Sequence, residues 1–105
     1  MIGAMELTAG SRWKSAVCDT EVVIVRPPEG EHALGCGGAD MVPLDAQKSG
    51  GAPDAALAGG TQMGKRYAEE TSGIEVLCTK AGEGTLTLDG TPVAIKGAKP
   101  LPSSD

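Results

Sequence analysis

Cysteine and histidine are the residues of this 105-residue chain whose chemistry is most informative. Cys18, Cys36 and Cys78 are its only thiols, and His32 is its only imidazole. A thiolate site holds zinc at about 2.3 Å from each sulfur, so the ligands must converge. Cys18 and Cys36 lie at the two ends of one strand–turn–strand segment, which predicts that their sulfurs meet.

The segment from Cys18 to Met41 is the one around which the chain is organised. It reads CDTEVVIVRPPEGEHALGCGGADM, which predicts a strand, a Pro/Gly turn, a second strand and a glycine-rich knuckle. Glycines on both sides of Cys36 let the backbone fold tightly around the sulfur and direct N–H groups towards it. A metal site is therefore one hypothesis for this segment, and a contact of two thiols or a disulfide without metal is the other.

Cys78 is the candidate third ligand, and it would have to arrive from the second half of the chain. Glu21 or His32 is the candidate fourth ligand, and the metal would be zinc or iron. No intact C-x-x-C pair is present, although that spacing is what makes a structural zinc site specific. Cys78 also lies in the apolar run IEVLCT, where a thiol packs as a small apolar residue. The sequence leaves its role, ligand or core, open.

The elements that must position these residues are short strands. Sixteen glycines and seven prolines predict many turns and little helix. Trp13 is the one large apolar anchor of the first half, and we expect it to pack in the core. The prediction is a mainly β chain, a single small domain over residues 1–105. Its strands are expected at 16–25, 32–35, 41–44, 62–67, 74–79, 85–88 and 93–96.

The remaining segments are expected to be loops. Residues 45–60, DAQKSGGAPDAALAGG, predict a flexible loop in which 54–58 could form one helical turn. Asp89-Gly90 is a strong two-residue hairpin signal. The tail AKPLPSSD, residues 98–105, is expected to run along the surface or dock on a neighbour.

A second β unit resembles the first. The stretch beginning at Glu21 can be laid over the stretch beginning at Glu75, 54 residues later. Both stretches continue with Val and further apolar residues, which are followed by a basic residue, a Glu-Gly turn and a short return strand. The sequence thus predicts a tandem repeat with units at 16–44 and 72–96. Chance similarity between two hairpins is the alternative.

The stretch from Cys18 to Met41 also resembles the desulforedoxin-type knuckle found at the N-terminus of desulfoferrodoxins. Cys18 and the Val-rich strand match the first half of that motif, and Leu34, Cys36, Gly38 and Met41 match the second half. The resemblance implies a small rubredoxin/desulforedoxin-like β fold and four thiolates around one iron. Here Glu21 and Gly37 replace two of the four cysteines. The family pairs two copies as a homodimer, and a fused repeat would build that core within one chain.

Composition narrows the class of function. A formal charge of −5, a pI near 4.7 and scattered basic residues disfavour nucleic-acid and membrane partners. The longest apolar run, 22–25, is too short to span a bilayer, and the first ten residues lack a signal-peptide pattern. An odd number of cysteines favours a reducing, cytoplasmic setting.

These features predict a small acidic accessory or binding module that is not an enzyme, with a degenerate cysteine metal site. So small a core would gain from a homodimer or from a subunit role in a larger complex. Two alternatives stay open, an iron–thiolate electron-transfer protein and a cysteine-dependent enzyme. For the enzyme, His32 is the only candidate base near Cys36, and an exposed histidine is the simpler expectation.

Overall fold

The computed structural model describes residues 7–47 and 51–96, and this part of the chain is mainly β, as predicted. Ten short strands alternate with turns, and Ala55–Leu57 forms a single turn of 3-10 helix. The strands of the first half are β1 Arg12–Lys14, β2 Glu21–Arg26, β3 Leu34–Cys36, β4 Ala39–Asp40 and β5 Val42–Pro43. Those of the second half are β6 Arg66–Ala68, β7 Glu75–Lys80, β8 Leu86–Leu88, β9 Thr91–Pro92 and β10 Ala94–Ile95.

The strands form two antiparallel sheets in which the halves of the chain meet at the centre. The larger sheet has the order β10-β6-β7-β2-β1-β5, and the smaller has the order β4-β3-β8-β9. In the larger sheet Val23 lies opposite Leu77, and in the smaller sheet Gly35 lies opposite Thr87. Both sheets are therefore joined through contacts between residues far apart in sequence.

The strand order is symmetric. When β1–β5 are matched one by one with β6–β10, each sheet has the same order from either end. Trp13 of β1 lies opposite Val22, and Tyr67 of β6, 54 residues later, lies opposite Val76. Two related units joined in one chain would give this order, which supports the predicted tandem repeat; the repeat itself stays a prediction.

One hydrophobic core is shared by the two sheets. The larger sheet contributes alternate residues of β2 and β7, because successive side chains of a strand point to opposite faces. The smaller sheet contributes β3 and β8, which are buried along their whole length. Trp13 is in this core, as expected. The core residues are Leu7, Trp13, Val22, Ile24, Leu34, Cys36, Met41, Tyr67, Ile74, Val76, Cys78, Leu86, Leu88 and Val93.

Several strand boundaries differ from the prediction. Residues 16–20 were expected to begin a strand, but 16–19 form a bend, and β2 begins at Glu21. The return strand begins at Leu34, so His32 lies in the turn before it. The strand expected at 62–67 is Arg66–Ala68, because Gly64 has a φ of 85° and belongs to a turn. β1 was not predicted as a strand at all.

The connection between the halves is attached to both of them. Asp54 begins its 3-10 turn, with the side chain accepting from Ala56 N–H at 3.0 Å. Asp54 N–H donates to Gly37 O at 2.7 Å, and Leu57 O accepts from Thr85 N–H at 2.8 Å. Residues 48–50 of the loop predicted at 45–60 and the tail predicted at 98–105 lie outside the described residues. In the described part of the chain no helix is long and apolar enough to cross a membrane.

Candidate thiol site

Cys18 lies in the bend between β1 and β2, and Ser15 fixes the shape of that bend. Ser15 Oγ accepts from Val17 N–H at 3.1 Å and from Cys18 N–H at 3.0 Å, while Ser15 N–H donates to Thr20 O at 2.8 Å. Ser15 and Thr20 are fully buried. Such local side-chain to backbone bonds hold a bend in place of strand pairing, which is why the strand expected from Ala16 begins later.

Cys36 is the last residue of β3 and is fully buried. The chain reverses immediately after it through Gly37 and Gly38, whose φ angles are 70° and 94°. Two successive positive φ angles favour glycine because a Cβ there is strained. A Cβ on Gly37 would also lie 2.9 Å from Val17 Cγ2, so the turn packs directly on the Cys18 bend.

The two sulfurs meet, as the sequence predicted. Cys18 Sγ and Cys36 Sγ are 3.7 Å apart, which is a contact and not a bond. All three cysteines lie in the described residues, and no disulfide joins them. The contact is only partly buried, because Cys18 is half-buried whereas Cys36 is not exposed.

The second half of the chain completes the surroundings of the sulfurs. Gly84 N–H donates to Cys18 Sγ at 3.3 Å. A Cβ on Gly84 would lie 2.9 Å from Cys36 Sγ and 2.8 Å from Gly37 N, so only glycine lets this backbone approach so closely. Cys18 Sγ–H also donates to Thr20 Oγ1 at 3.3 Å.

The two thiols differ strongly in acidity. Partial burial disfavours the charged form of Cys18, but hydrogen bonds from Ser15, Thr20 and the Gly84 N–H outweigh it and lower its pKa to about 7. Deep burial dominates at Cys36 and raises its pKa to about 12. Near neutral pH the half-buried Cys18 is therefore partly in the thiolate form, which is the nucleophilic form of cysteine, whereas Cys36 keeps its proton.

Cys78 makes no contact with the Cys18–Cys36 pair that resembles theirs with each other, although the Thr61 hydroxyl that bonds Thr20 also bonds its thiol. It lies in β7 opposite Val22, and its Sγ–H donates to Lys80 O at 3.2 Å. Burial raises the pKa of this thiol. These features match the behaviour of a buried structural cysteine.

The two candidate fourth ligands do not join the sulfurs. His32 Nδ1 is 2.6 Å from Asp89 Oδ2, and His32 Nε2 is 2.8 Å from Glu29 O. Both ring nitrogens are thus engaged, and the ring is partly shielded, not simply exposed as expected. Glu21 lies in β2 opposite Lys14 and Lys80. The histidine is also not placed as a base for Cys36.

The residues present do not fit the closed metal centre that the sequence suggested. Two zinc-bound thiolates lie roughly 3.8 Å apart, because each Zn–S bond is about 2.3 Å and the geometry is tetrahedral. The spacing of Cys18 and Cys36 is close to that value. However, no three His, Cys, Asp or Glu side chains among residues 7–47 and 51–96 converge to hold a metal ion. A structural zinc or rubredoxin-type iron centre needs four ligands.

Several residues that shape the site were missed by sequence reasoning. Ser15 and Thr20 flank Cys18 at a spacing typical of turns with hydroxyl acceptors, and this signal was available. Gly84 lies in the second Glu-Gly turn of the repeat, but nothing local connects it with a sulfur 66 residues earlier. Thr61 contacts Thr20 across a gap of 41 residues, which no local pattern connects either.

The counterpart positions in the second unit contain no thiol pair. Ser72 is found 54 residues after Cys18, and Leu88 is found 52 residues after Cys36. The bend has the same design, because Glu69 takes the place of Ser15 and its carboxylate accepts from Thr71 N–H and Ser72 N–H. The thiol chemistry therefore belongs to one end of a nearly symmetric fold.

Comparison of the chain with protein-family models, with curated proteins and with solved structures finds no match. The resemblance to the desulforedoxin-type knuckle therefore stays a prediction.

Proposed function

We propose that this protein is a small thiol redox module in which Cys18 is the reacting thiol and Cys36 is the resolving thiol. The observation that supports the proposal is a pair of sulfurs 3.7 Å apart, one half-exposed and acidic, the other buried and protonated. Reactive cysteine pairs need this asymmetry, because one thiol must attack the partner disulfide as a thiolate, and the other must stay protonated until it resolves the mixed disulfide.

The reaction is an exchange with a disulfide R–S–S–R. The Cys18 thiolate attacks one sulfur, the S–S bond breaks, and the leaving thiolate takes a proton from water. Cys36 then gives its proton to water and attacks Cys18 Sγ, which forms the Cys18–Cys36 bond and releases the second R–S⁻, and this thiolate takes a proton from water in turn. The protein loses two electrons and two protons, and the disulfide becomes two thiols. The sulfurs must approach from 3.7 Å to about 2.05 Å.

The test is to titrate the reduced protein with a small disulfide and to map the products by mass spectrometry. We expect one Cys18–Cys36 disulfide and one remaining thiol, at Cys78. Cys36→Ser should stop at a mixed disulfide on Cys18, and Cys18→Ser should form neither product. Cys78→Ser is the matched control and should react like the natural chain. Three unmodified thiols after equilibration with excess disulfide would overturn the proposal.

The module is proposed to be an accessory protein that works with a partner in a reducing, cytoplasmic setting. Its acidic charge supports a protein partner over nucleic acid. Both sheets end in strands of only two residues, β10 and β5 in one and β4 and β9 in the other. Edge strands this short offer few N–H and C=O groups for pairing with another strand, so a second copy or a larger subunit would have to bind through another surface. Sedimentation equilibrium tests this, and a monomer at all concentrations would contradict the homodimer.

A further inference from the structure

Two buried threonine hydroxyls connect the halves of the chain beside the thiol pair. Thr20 Oγ1 and Thr61 Oγ1 are 2.9 Å apart, and both residues are buried. Thr61 Oγ1 accepts from Gly82 N–H at 2.9 Å, and it can donate to Gly82 O at 3.4 Å. Thr20 Oγ1 also contacts Cys18 Sγ at 3.3 Å. A chain of polar atoms thus runs from Cys18 Sγ to the second half of the protein. It also faces the other two thiols, because hydrogen bonds of Thr20 to Cys36 and of Thr61 to Cys78 partly offset the rise in pKa that burial causes at those cysteines.

The close approach of the second unit depends on a glycine. A Cβ on Gly82 would lie 2.4 Å from Thr20 N and 2.5 Å from Thr20 Oγ1. No other residue could hold the 82–84 backbone against Thr20, and the same segment directs Gly84 N–H at Cys18 Sγ. The hydroxyl pair and the N–H donor are therefore positioned together.

The hydrogen bonds can be satisfied in two ways, because each hydroxyl has one donor and two acceptor sites. With a Cys18 thiol, S–H donates to Thr20, Thr20 donates to Thr61, and Thr61 donates to Gly82 O. With a Cys18 thiolate, Thr20 donates to the sulfur and Thr61 donates to Thr20. Gly82 O then keeps its bond from Thr61 N–H at 3.0 Å. Cys18 Sγ, the two threonine hydroxyls and Gly82 O therefore each have a partner in either state.

We propose that Thr20 and Thr61 form a hydroxyl switch whose hydrogen bonds reverse direction when Cys18 ionises, with Thr20 as the positioning residue of the thiolate. This inference rests on the proposed function of Cys18 as the reacting thiol. Thr61 acts through Thr20. When the Thr20 hydroxyl donates to the thiolate, it no longer accepts a bond from the Cys18 S–H, and the Thr61 hydroxyl donates to it instead. The switch is buried, so water cannot replace it readily.

The test is the pH dependence of Cys18 alkylation in the full chain, followed by mass spectrometry of the Cys18 peptide. A hydrogen bond to a charged group is worth roughly one pKa unit. We expect Thr20→Val to move the midpoint of the alkylation profile up by about one unit, so that the rate well below the midpoint falls about tenfold. Thr20→Ser should restore the natural profile, and Thr61→Val should give a smaller shift in the same direction.

Thr87→Val is the matched control, because Thr87 is a buried strand threonine opposite Gly35. It should leave the midpoint unchanged. If Thr20→Val does not fold, Thr61→Val and Thr20→Ser still decide the result. An unchanged midpoint in Thr61→Val, or a midpoint in Thr20→Ser as high as that of the free amino acid, overturns the switch. Loss of the switch would leave Cys18–Cys36 disulfide formation intact, whereas failure of the proposed function would abolish it.

Discussion

Replacing Gly84 by alanine tests whether the second half of the chain holds the thiol site together. The new Cβ would lie 2.8 Å from Gly37 N, 2.9 Å from Gly37 Cα and 2.9 Å from Cys36 Sγ. Two of these three neighbours are backbone atoms, which cannot move aside as the end of a long side chain can. The substitution must therefore displace the 82–84 segment or the turn after β3.

The expected cost follows from overpacking. Extra methyl groups in a packed interior destabilise proteins by about 1–3 kcal/mol. A loss of about 2 kcal/mol lowers the Tm of a domain of this length by roughly 10 °C. Moving Gly84 would also break the hydrogen bond that its N–H donates to Cys18 Sγ, which is 3.3 Å long in the natural chain. The pKa of Cys18 should then rise from about 7, and its alkylation at neutral pH should slow.

The assay is thermal unfolding by circular dichroism together with the alkylation profile of Cys18. Gly59→Ala is the matched control, since its Cβ would meet only the Thr85 hydroxyl, at 3.0 Å. It should change the Tm much less and leave Cys18 unaffected. A Gly84→Ala protein with the stability and the Cys18 profile of the natural chain would refute the described packing of the two halves.

Three further predictions concern single groups. Iodoacetamide should label Cys18 with a midpoint near pH 7. Cys36 should stay unlabelled until the protein unfolds, because its pKa is raised to about 12. Equal labelling of the two cysteines in the folded protein would contradict this prediction. Asp89 raises the pKa of His32 in the folded protein above its ordinary value of 6.5. The pair therefore stabilises the fold fully below pH 6.5, and this contribution is lost as the pH rises through the folded-state pKa. The Tm difference between the natural chain and His32→Gln should thus be larger at about pH 6 than at about pH 9, and a constant difference would refute it. Glu75 is buried and forms ion pairs with two cationic side chains, at 2.8 and 3.3 Å. Glu75→Gln should therefore lower the free energy of unfolding in urea by about 0.5–1 kcal/mol, and by less at high salt. The same loss at low and high salt would count against the ion pairs.

The fold class was predictable because the strongest signals are local. The β-branched run of β2 and the apolar run of β7 are clear strand patterns, and both strands lie at the centre of the larger sheet. The turn at Asp89-Gly90 was also predicted, and both residues have positive φ. Short strands such as β1 were missed, since three residues give no periodic pattern and form a strand only by pairing with β2 and β5.

The candidate site was predictable only in part. The meeting of Cys18 and Cys36 was predicted, but the expected hairpin was wrong: β2 and β3 lie in different sheets and do not pair with each other, so the two sulfurs meet across the space between the sheets. The surroundings that set their acidity come from Gly84 and Thr61, far away in sequence, and a pattern search cannot place them. The same limit applies to His32, whose partner Asp89 is 57 residues later. Tertiary contacts, not local propensity, therefore set the difference in acidity between Cys18 and Cys36.

The proposed thiol chemistry depends on both halves of the chain, because the surroundings of the sulfurs are divided between them. The first unit supplies both sulfurs, and the second supplies the Gly84 N–H that faces the reacting sulfur and the backbone that fixes Thr61. At the counterpart bend of the second unit, Glu69 makes the equivalent turn bonds, but serine and leucine stand where the sulfurs would be. A symmetric pair of identical units would place the same residues at both ends. Only a chain whose units differ can devote one end to a thiol pair and keep an ion pair, His32 with Asp89, at the other.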